Sequence, residues 1–148
     1  MSNLTFFNCE EYIVSELLKV EGVVKLLSRR ERASQEGIET TKTHDYVFSL
    51  KSSAVLSFSL DEDGYSSICF NYGNEYFYFD SYLEKYDLAG KKRYEELLEE
   101  CRYSRDFHFN LTSKLNFFTN YVNNHSELKL VLDGDSWFSI PYDFGGMK

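Results

Sequence analysis

The pair His44-Asp45 has the residue types that chemistry requires, because an imidazole beside a carboxylate is the usual pairing for general acid–base catalysis. Adjacency of two residues is a weak signal, however, since nothing in the sequence adds a nucleophile or a binding loop to them. The other histidines, His108 and His125, have no histidine four positions away and no cysteine pair nearby. Zinc-binding spacing is therefore absent.

Two further short segments resemble functional loops without completing them. The run 61–64 (Asp-Glu-Asp-Gly) has its glycine in fourth place, whereas a calcium loop of the EF-hand type needs glycine sixth and glutamate twelfth. The run 133–135 (Asp-Gly-Asp) follows an apolar strand, as in haloacid-dehalogenase-type phosphotransferases. Those enzymes need Thr or Val where Trp137 stands, followed by a parallel α/β domain. We interpret both runs as hairpin turns, and we expect no catalytic residue, metal or cofactor.

The length and composition favour one soluble domain over residues 1–148. The N-terminus lacks the basic and apolar regions of a signal peptide, and no apolar run reaches the ~18 residues of a membrane span. Cys9, Cys69 and Cys101 are odd in number and widely spaced, which favours buried free thiols in a reducing compartment. We therefore expect a cytoplasmic protein that does not contact a membrane.

Charge and aromatic residues are concentrated in the middle of the chain. The net charge is −8, and residues 61–100 hold eleven acidic and four basic side chains together with seven of the 12 tyrosines. Such a surface repels phosphate backbones, which disfavours direct binding to nucleic acid. It attracts a basic protein partner, and exposed tyrosines are effective interface anchors.

The order of predicted elements is typical of an α+β fold. Apolar residues at alternating spacings of four and three predict a helix over 8–30, begun by a capping box at Asn8, and a polar loop follows over 33–43. Alternating apolar residues predict an antiparallel meander sheet over 46–79. Helices are predicted at 80–86, at 91–103 and after a cap at Thr112 or Ser113, with a short strand over 107–111 between the last two. A C-terminal hairpin is predicted from Leu128 to Tyr142.

Small, acidic, aromatic-rich single domains without a catalytic motif are typical of bacterial immunity proteins, and the chain resembles them in size, charge and element order. Such proteins bind and block the toxin domains of contact-dependent growth inhibition and other polymorphic toxin systems. The resemblance implies a basic toxin domain as the partner, plausibly a nuclease, and steric and electrostatic occlusion as the mechanism. The residues that we expect to contact this partner are Asp61, Glu62, Asp63, Tyr65, Glu75, Tyr76, Tyr78 and Asp80.

Two alternative functions fit the same composition. A secretion chaperone of the type III kind is also small, acidic and α+β, and it would dimerise around an extended effector segment. A small ligand-binding or enzymatic α+β domain would instead need a deep pocket, which His44, Asp45 and tyrosines could line.

Overall fold

The computed structural model describes residues 3–125, with the side chains of Ser34 and Glu36 left aside, and it confirms the α+β fold. Its elements are α1 (Glu10–Leu18), β1 (Val23–Glu36), β2 (Glu39–Leu50), β3 (Val55–Asp61), β4 (Ser66–Tyr72), β5 (Glu75–Tyr78), α2 (Phe79–Tyr86), α3 (Leu88–Ser104) and α4 (Phe107–Asn124). The predicted C-terminal hairpin lies outside the described residues. No helix within the described part of the chain is both long and apolar enough to cross a bilayer.

The five strands form one antiparallel meander in the order β1-β2-β3-β4-β5. The register places Tyr46 opposite Phe58 and Phe58 opposite Ile68, so the alternating apolar residues of the sequence all reach the same face. The four helices contribute to the core on this face, and its aromatic centre includes the stacked rings of Phe70 and Phe77. The opposite face carries small polar side chains such as Ser57, as the half-polar pattern predicts.

The prediction of one helix over 8–30 is wrong in its second half. The helix ends at Leu18, Gly22 adopts a φ of 101°, and the chain continues as strand β1. The helical pattern continued through Val24 and Leu27, but in strand β1 these side chains are about half exposed, whereas Val23 is buried. Two β-bulges interrupt the pairing of β1, between Val23 and Lys25 and between Leu26 and Ser28, so the apolar residues of this segment do not alternate as in a regular strand. The capping box is also wrong, because the Asn8 side chain accepts a hydrogen bond from the Thr5 backbone instead.

The predicted loop over 33–43 is the distal part of a long hairpin. Strands β1 and β2 pair as far as Glu36 and Glu39, whereas β3 pairs with β2 only as far as Thr43. The hairpin therefore extends past the sheet as a two-stranded arm, with Ile38 fully exposed at its tip. An arm that packs against no third layer needs no apolar alternation, which is why its sequence resembles a loop.

Helices α2, α3 and α4 largely match the ranges predicted from the sequence, with one correction. Helices α2 and α3 match their predicted ranges within a few residues, and α4 ends at Asn124 as expected. Residues 107–111 begin helix α4 and do not form a strand. The N-cap of this helix is Asp106 rather than Thr112 or Ser113. The helical period was hidden because two polar residues, Asn110 and Lys114, lie on the buried face of α4.

Candidate functional site

Four of the predicted contact residues lie together in the turn between β3 and β4, which we call the acidic turn (residues 61–65). The Asp61 carboxylate closes this turn by accepting hydrogen bonds from the backbone N–H groups of Asp63, at 2.9 Å, and Tyr65, at 3.0 Å. Burial raises the pKa of Asp61, although the two backbone hydrogen bonds oppose that shift. Asp61 therefore shapes the turn, while Glu62, Asp63 and Tyr65 extend into solvent.

Helix α4 packs against the acidic turn and contacts it through Lys114. The Lys114 side chain is only 5% exposed, and its ammonium donates a hydrogen bond of 3.2 Å to the carbonyl oxygen of Gly64. The same ammonium lies 5.9 Å from the centre of the Tyr65 ring, within the range of a cation–π interaction. Burial lowers the pKa of Lys114. The turn is therefore fixed to the helix by a buried cation.

The backbone conformation of the turn requires glycine at position 64, because a φ of +93° is one that residues with a side chain rarely adopt. The turn packs on α4 at this point, since a Cβ on Gly64 would be in ordinary contact with Phe107 at 3.5 Å and with Asn110 at 3.6 Å. Asn110 is itself held in place, because its side-chain oxygen accepts a 2.7 Å hydrogen bond from Ser104 at the end of α3. The turn, α3 and α4 thus meet at one point.

A cleft of about 1150 Å³ opens where these three elements meet. It is lined by residues of the acidic turn, by α3 and by the first two turns of α4. The lining residues are Glu62, Asp63, Gly64, Tyr65, Ser66, Glu95, Leu98, Glu99, Cys101, Arg102, Tyr103, Arg105, Phe107, Asn110 and Lys114. The cleft therefore combines carboxylates, cations and aromatic rings.

Three exposed carboxylates at this cleft, Glu62, Asp63 and Glu95, form what we call the acidic rim. Within residues 3–125 none of the three takes part in an ion pair, whereas Glu99 pairs with Arg102 at 3.6 Å. Tyr65, which is 63% exposed, lines the same cleft. The lining holds four carboxylates against three cations, Arg102, Arg105 and Lys114, so its excess of negative charge is one unit. The Glu62 carboxylate also accepts a 3.0 Å hydrogen bond from the backbone N–H of Lys42. The acidic turn itself holds three carboxylates and no cation, and it presents an exposed tyrosine as an aromatic anchor.

The other four predicted contact residues lie elsewhere. Strand β4 separates the acidic turn from the β4–β5 turn by about 20 Å, at roughly 3.4 Å per residue. Glu75 stands at that far end, and Tyr76 and Tyr78 lie on the polar face of edge strand β5, with their rings 5.9 Å apart. Asp80 is exposed in the first turn of α2. The eight residues therefore form at least two separate groups.

His44 and Asp45 do not form a catalytic pair, because consecutive strand residues point to opposite faces of the sheet. The His44 ring is buried, stacks on Phe6 with ring centres 4.0 Å apart, and hydrogen-bonds Glu31 at 2.9 Å. On the other face Arg32 binds Asp45 through two nitrogens, at 2.6 and 3.2 Å. Neither residue lines the cleft.

The three cysteines are free thiols, as the sequence predicts, although Cys69 is only partly buried. Burial raises the pKa of Cys9 to about 11 and also raises the pKa values of Cys69 and Cys101. A thiol with a raised pKa stays protonated at neutral pH and is a poor nucleophile. Cys101 therefore gives the cleft an apolar surface rather than a reactive group.

The helical wall of the cleft is the part that sequence reasoning missed. The signal was present in α4, where Asn110 and Lys114 occupy positions that an apolar period would fill. Among residues 3–125 no three His, Cys, Asp or Glu side chains converge as metal ligands would. No protein family, curated protein or solved structure shows detectable similarity to the chain.

Proposed function

We propose that the protein binds a basic protein domain at the acidic turn and the adjoining cleft. The observation that carries this proposal is the acidic rim, in which Glu62, Asp63 and Glu95 form no ion pair within residues 3–125 and line the same cleft as the exposed Tyr65. Exposed carboxylates that no cation neutralises steer a partner of opposite charge, and a tyrosine anchors it at small entropic cost. The function is then recognition rather than catalysis.

The resemblance to immunity proteins suggests which partner this is. We propose a toxin domain, plausibly a nuclease, whose phosphate-binding surface is basic. Carboxylates of the acidic rim would then stand where substrate phosphates bind, and the bulk of the protein would exclude the substrate. Three free cysteines suit a cytoplasmic location, where such an inhibitor protects the cell that makes it.

One observation favours a second candidate, a small-ligand or enzymatic function. The cleft, at about 1150 Å³, is slightly larger than the roughly 300–1,000 Å³ usual for small-molecule sites, and a buried amine lies in its wall. An organic ligand with an acidic group could bind Lys114 and pack on Tyr103 and Phe107. The third candidate, a secretion chaperone, requires a homodimer that holds an extended peptide.

Affinity capture separates these candidates. The tagged protein is immobilised, exposed to lysate of the cells that encode it at low salt, and eluted with high salt. Recovery of one basic domain that salt releases supports the proposed function, because screening weakens exposed charge pairs. A homodimer that retains extended peptide would favour the chaperone. A monomer that retains no protein would contradict the proposal and favour the small-ligand candidate, which ligand screening would then test.

A further inference from the structure

Lys114 is a buried cation in a protein with an excess of carboxylates, yet it forms no ion pair within the described residues. Its hydrogen-bond acceptor is neutral, the carbonyl of Gly64, and Asp61 is the acidic residue whose charge acts on it. Removing an ammonium from water is costly, and one hydrogen bond to a carbonyl compensates this cost only in part. We therefore expect a lysine in this position to add little to the free energy of unfolding of the protein, or to lower it.

The hydrogen bond and the cation–π contact of Lys114 are both directed at the acidic turn. Its hydrogen bond fixes the peptide between Gly64 and Tyr65, and its charge lies beneath the Tyr65 ring. Asp61 completes the arrangement from inside the turn, by binding the N–H groups of Asp63 and Tyr65. The buried Lys114 and the partly buried Asp61 thus fix the acidic turn, whose other side chains, those of Glu62, Asp63 and Tyr65, are exposed.

We propose that Lys114 is the positioning residue of the binding surface: it fixes the acidic turn so that Tyr65 and the acidic rim are preset for a basic partner. The proposal rests on the proposed function for its partner, but the geometry that it assigns to Lys114 is independent of any partner. A preset surface binds more tightly because less conformational entropy is lost on association. The buried cation is retained for recognition, at a cost to folding.

Amide hydrogen exchange of the free protein tests the positioning role directly. Lys114→Met keeps the length and packing of the side chain and removes the ammonium. We expect the amides of Asp63 and Tyr65 to exchange about tenfold faster in this variant, which corresponds to the loss of one charge-assisted hydrogen bond. Core amides such as that of Phe58 should exchange at the original rate or more slowly, since an apolar side chain suits the buried site better.

The matched control is Lys92→Met, which removes an exposed charge from α3 outside the cleft. It should leave the exchange of the acidic turn unchanged. A purely structural role for Lys114 predicts faster exchange throughout the protein, in the core as well as the turn. That result, or unchanged exchange at Asp63 and Tyr65, would overturn the proposal.

The basic domain recovered by salt-dependent capture provides a second test. On charge alone, Lys114→Met should strengthen binding of a basic domain, because it makes the surface more negative. Positioning predicts weaker binding, by about tenfold, through the loss of the preset turn. Faster turn exchange in a protein that captures no basic domain would uphold the role of Lys114 in fixing the turn and reject the proposed function. Unchanged exchange of the turn in a protein that does capture a basic domain would reject the role of Lys114 and leave the proposed function standing.

Discussion

The Lys114 ammonium donates a 3.2 Å hydrogen bond to the carbonyl oxygen of Gly64, which lies 50 positions earlier in the chain. This bond joins α4 to the turn between β3 and β4, and it places the helical and sheet halves of the molecule around one cleft. The exposed carboxylates of the acidic rim line the same cleft. Geometry and charge therefore identify the same surface.

Gly64→Ala should destabilise the protein by more than Gly73→Ala does. Both glycines have positive φ, but the +93° of Gly64 lies further than the +60° of Gly73 from the left-handed region that residues with a side chain can adopt. A Cβ at Gly64 would make only ordinary contacts with Phe107 and Asn110, so the expected cost is in the backbone. We expect a loss of about 1–3 kcal/mol in the free energy of unfolding at Gly64 and about 1 kcal/mol at Gly73. Urea unfolding of the two variants measures the difference. Equal losses would show that the backbone at Gly64 is no more strained by a side chain than that at Gly73.

Tyr65→Ala should weaken binding of the captured basic domain by about 2 kcal/mol or more, as expected for an aromatic anchor at the centre of an interface. Tyr78→Ala is the matched control, because Tyr78 is also an exposed tyrosine but lies on β5, away from the cleft. Calorimetric titration compares the two variants with the original protein. A larger loss for Tyr78 would move the binding surface to the polar face of the sheet.

Asp45→Asn should destabilise the protein by about 1–2 kcal/mol near pH 7, because it weakens the double hydrogen bond from Arg32. Burial raises the pKa of Asp45, but hydrogen bonds from Arg32 and Ser59 outweigh it, and the pKa ends below its ordinary value of 3.8. The contribution of the carboxylate is therefore present above pH 3.8 and is lost as the pH falls through the lowered pKa. Urea unfolding at several pH values should show the two proteins converging in acid. A difference in the free energy of unfolding that persists in acid would contradict a stabilising role for the charged Asp45 carboxylate.

Alkylation should distinguish the cysteines by burial. Cys69 is partly exposed, whereas Cys9 and Cys101 are buried and all three have raised pKa values. We expect iodoacetamide at pH 8 to modify Cys69 first and the other two only as the protein unfolds. Mass spectrometry of digests over time gives the order. Rapid modification of Cys101 in the folded protein would show that the cleft exposes a reactive thiol.

The sheet was readily predicted because each of β2, β3 and β4 has one buried face, so burial imposes a strict period of two. Residues such as Tyr46, Phe58 and Phe70 follow it, and the turn residues Gly64 and Gly73 mark its boundaries. Strand β1 was missed because its two bulges interrupt that period and because Val24 and Leu27, which continued the helical pattern, are about half exposed in the strand. Local sequence patterns do not reveal a bulge when the partner strand is unknown.

The candidate site was only half predictable for a related reason. The acidic turn is contiguous in sequence, so its charge and its tyrosine were apparent. The wall formed by α3 and α4 depends on contacts between residues far apart, of which Lys114 with Gly64 is the clearest. A buried lysine in the sequence resembles a surface lysine until the helix is seen packed against the turn.

The most direct test of the proposed function compares two pairs of substitutions that change the net charge equally. Glu62→Gln with Asp63→Asn removes two of the three charges of the acidic rim, and Glu96→Gln with Glu100→Gln removes two exposed charges of α3 outside the cleft. The rate of association with the captured basic domain is measured across a range of salt concentrations. We predict that the rim pair slows association about tenfold at low salt and flattens its salt dependence, while the control pair has a much smaller effect. Equal effects of the two pairs, or no effect of the rim pair, would contradict the assignment of the acidic turn as the binding surface.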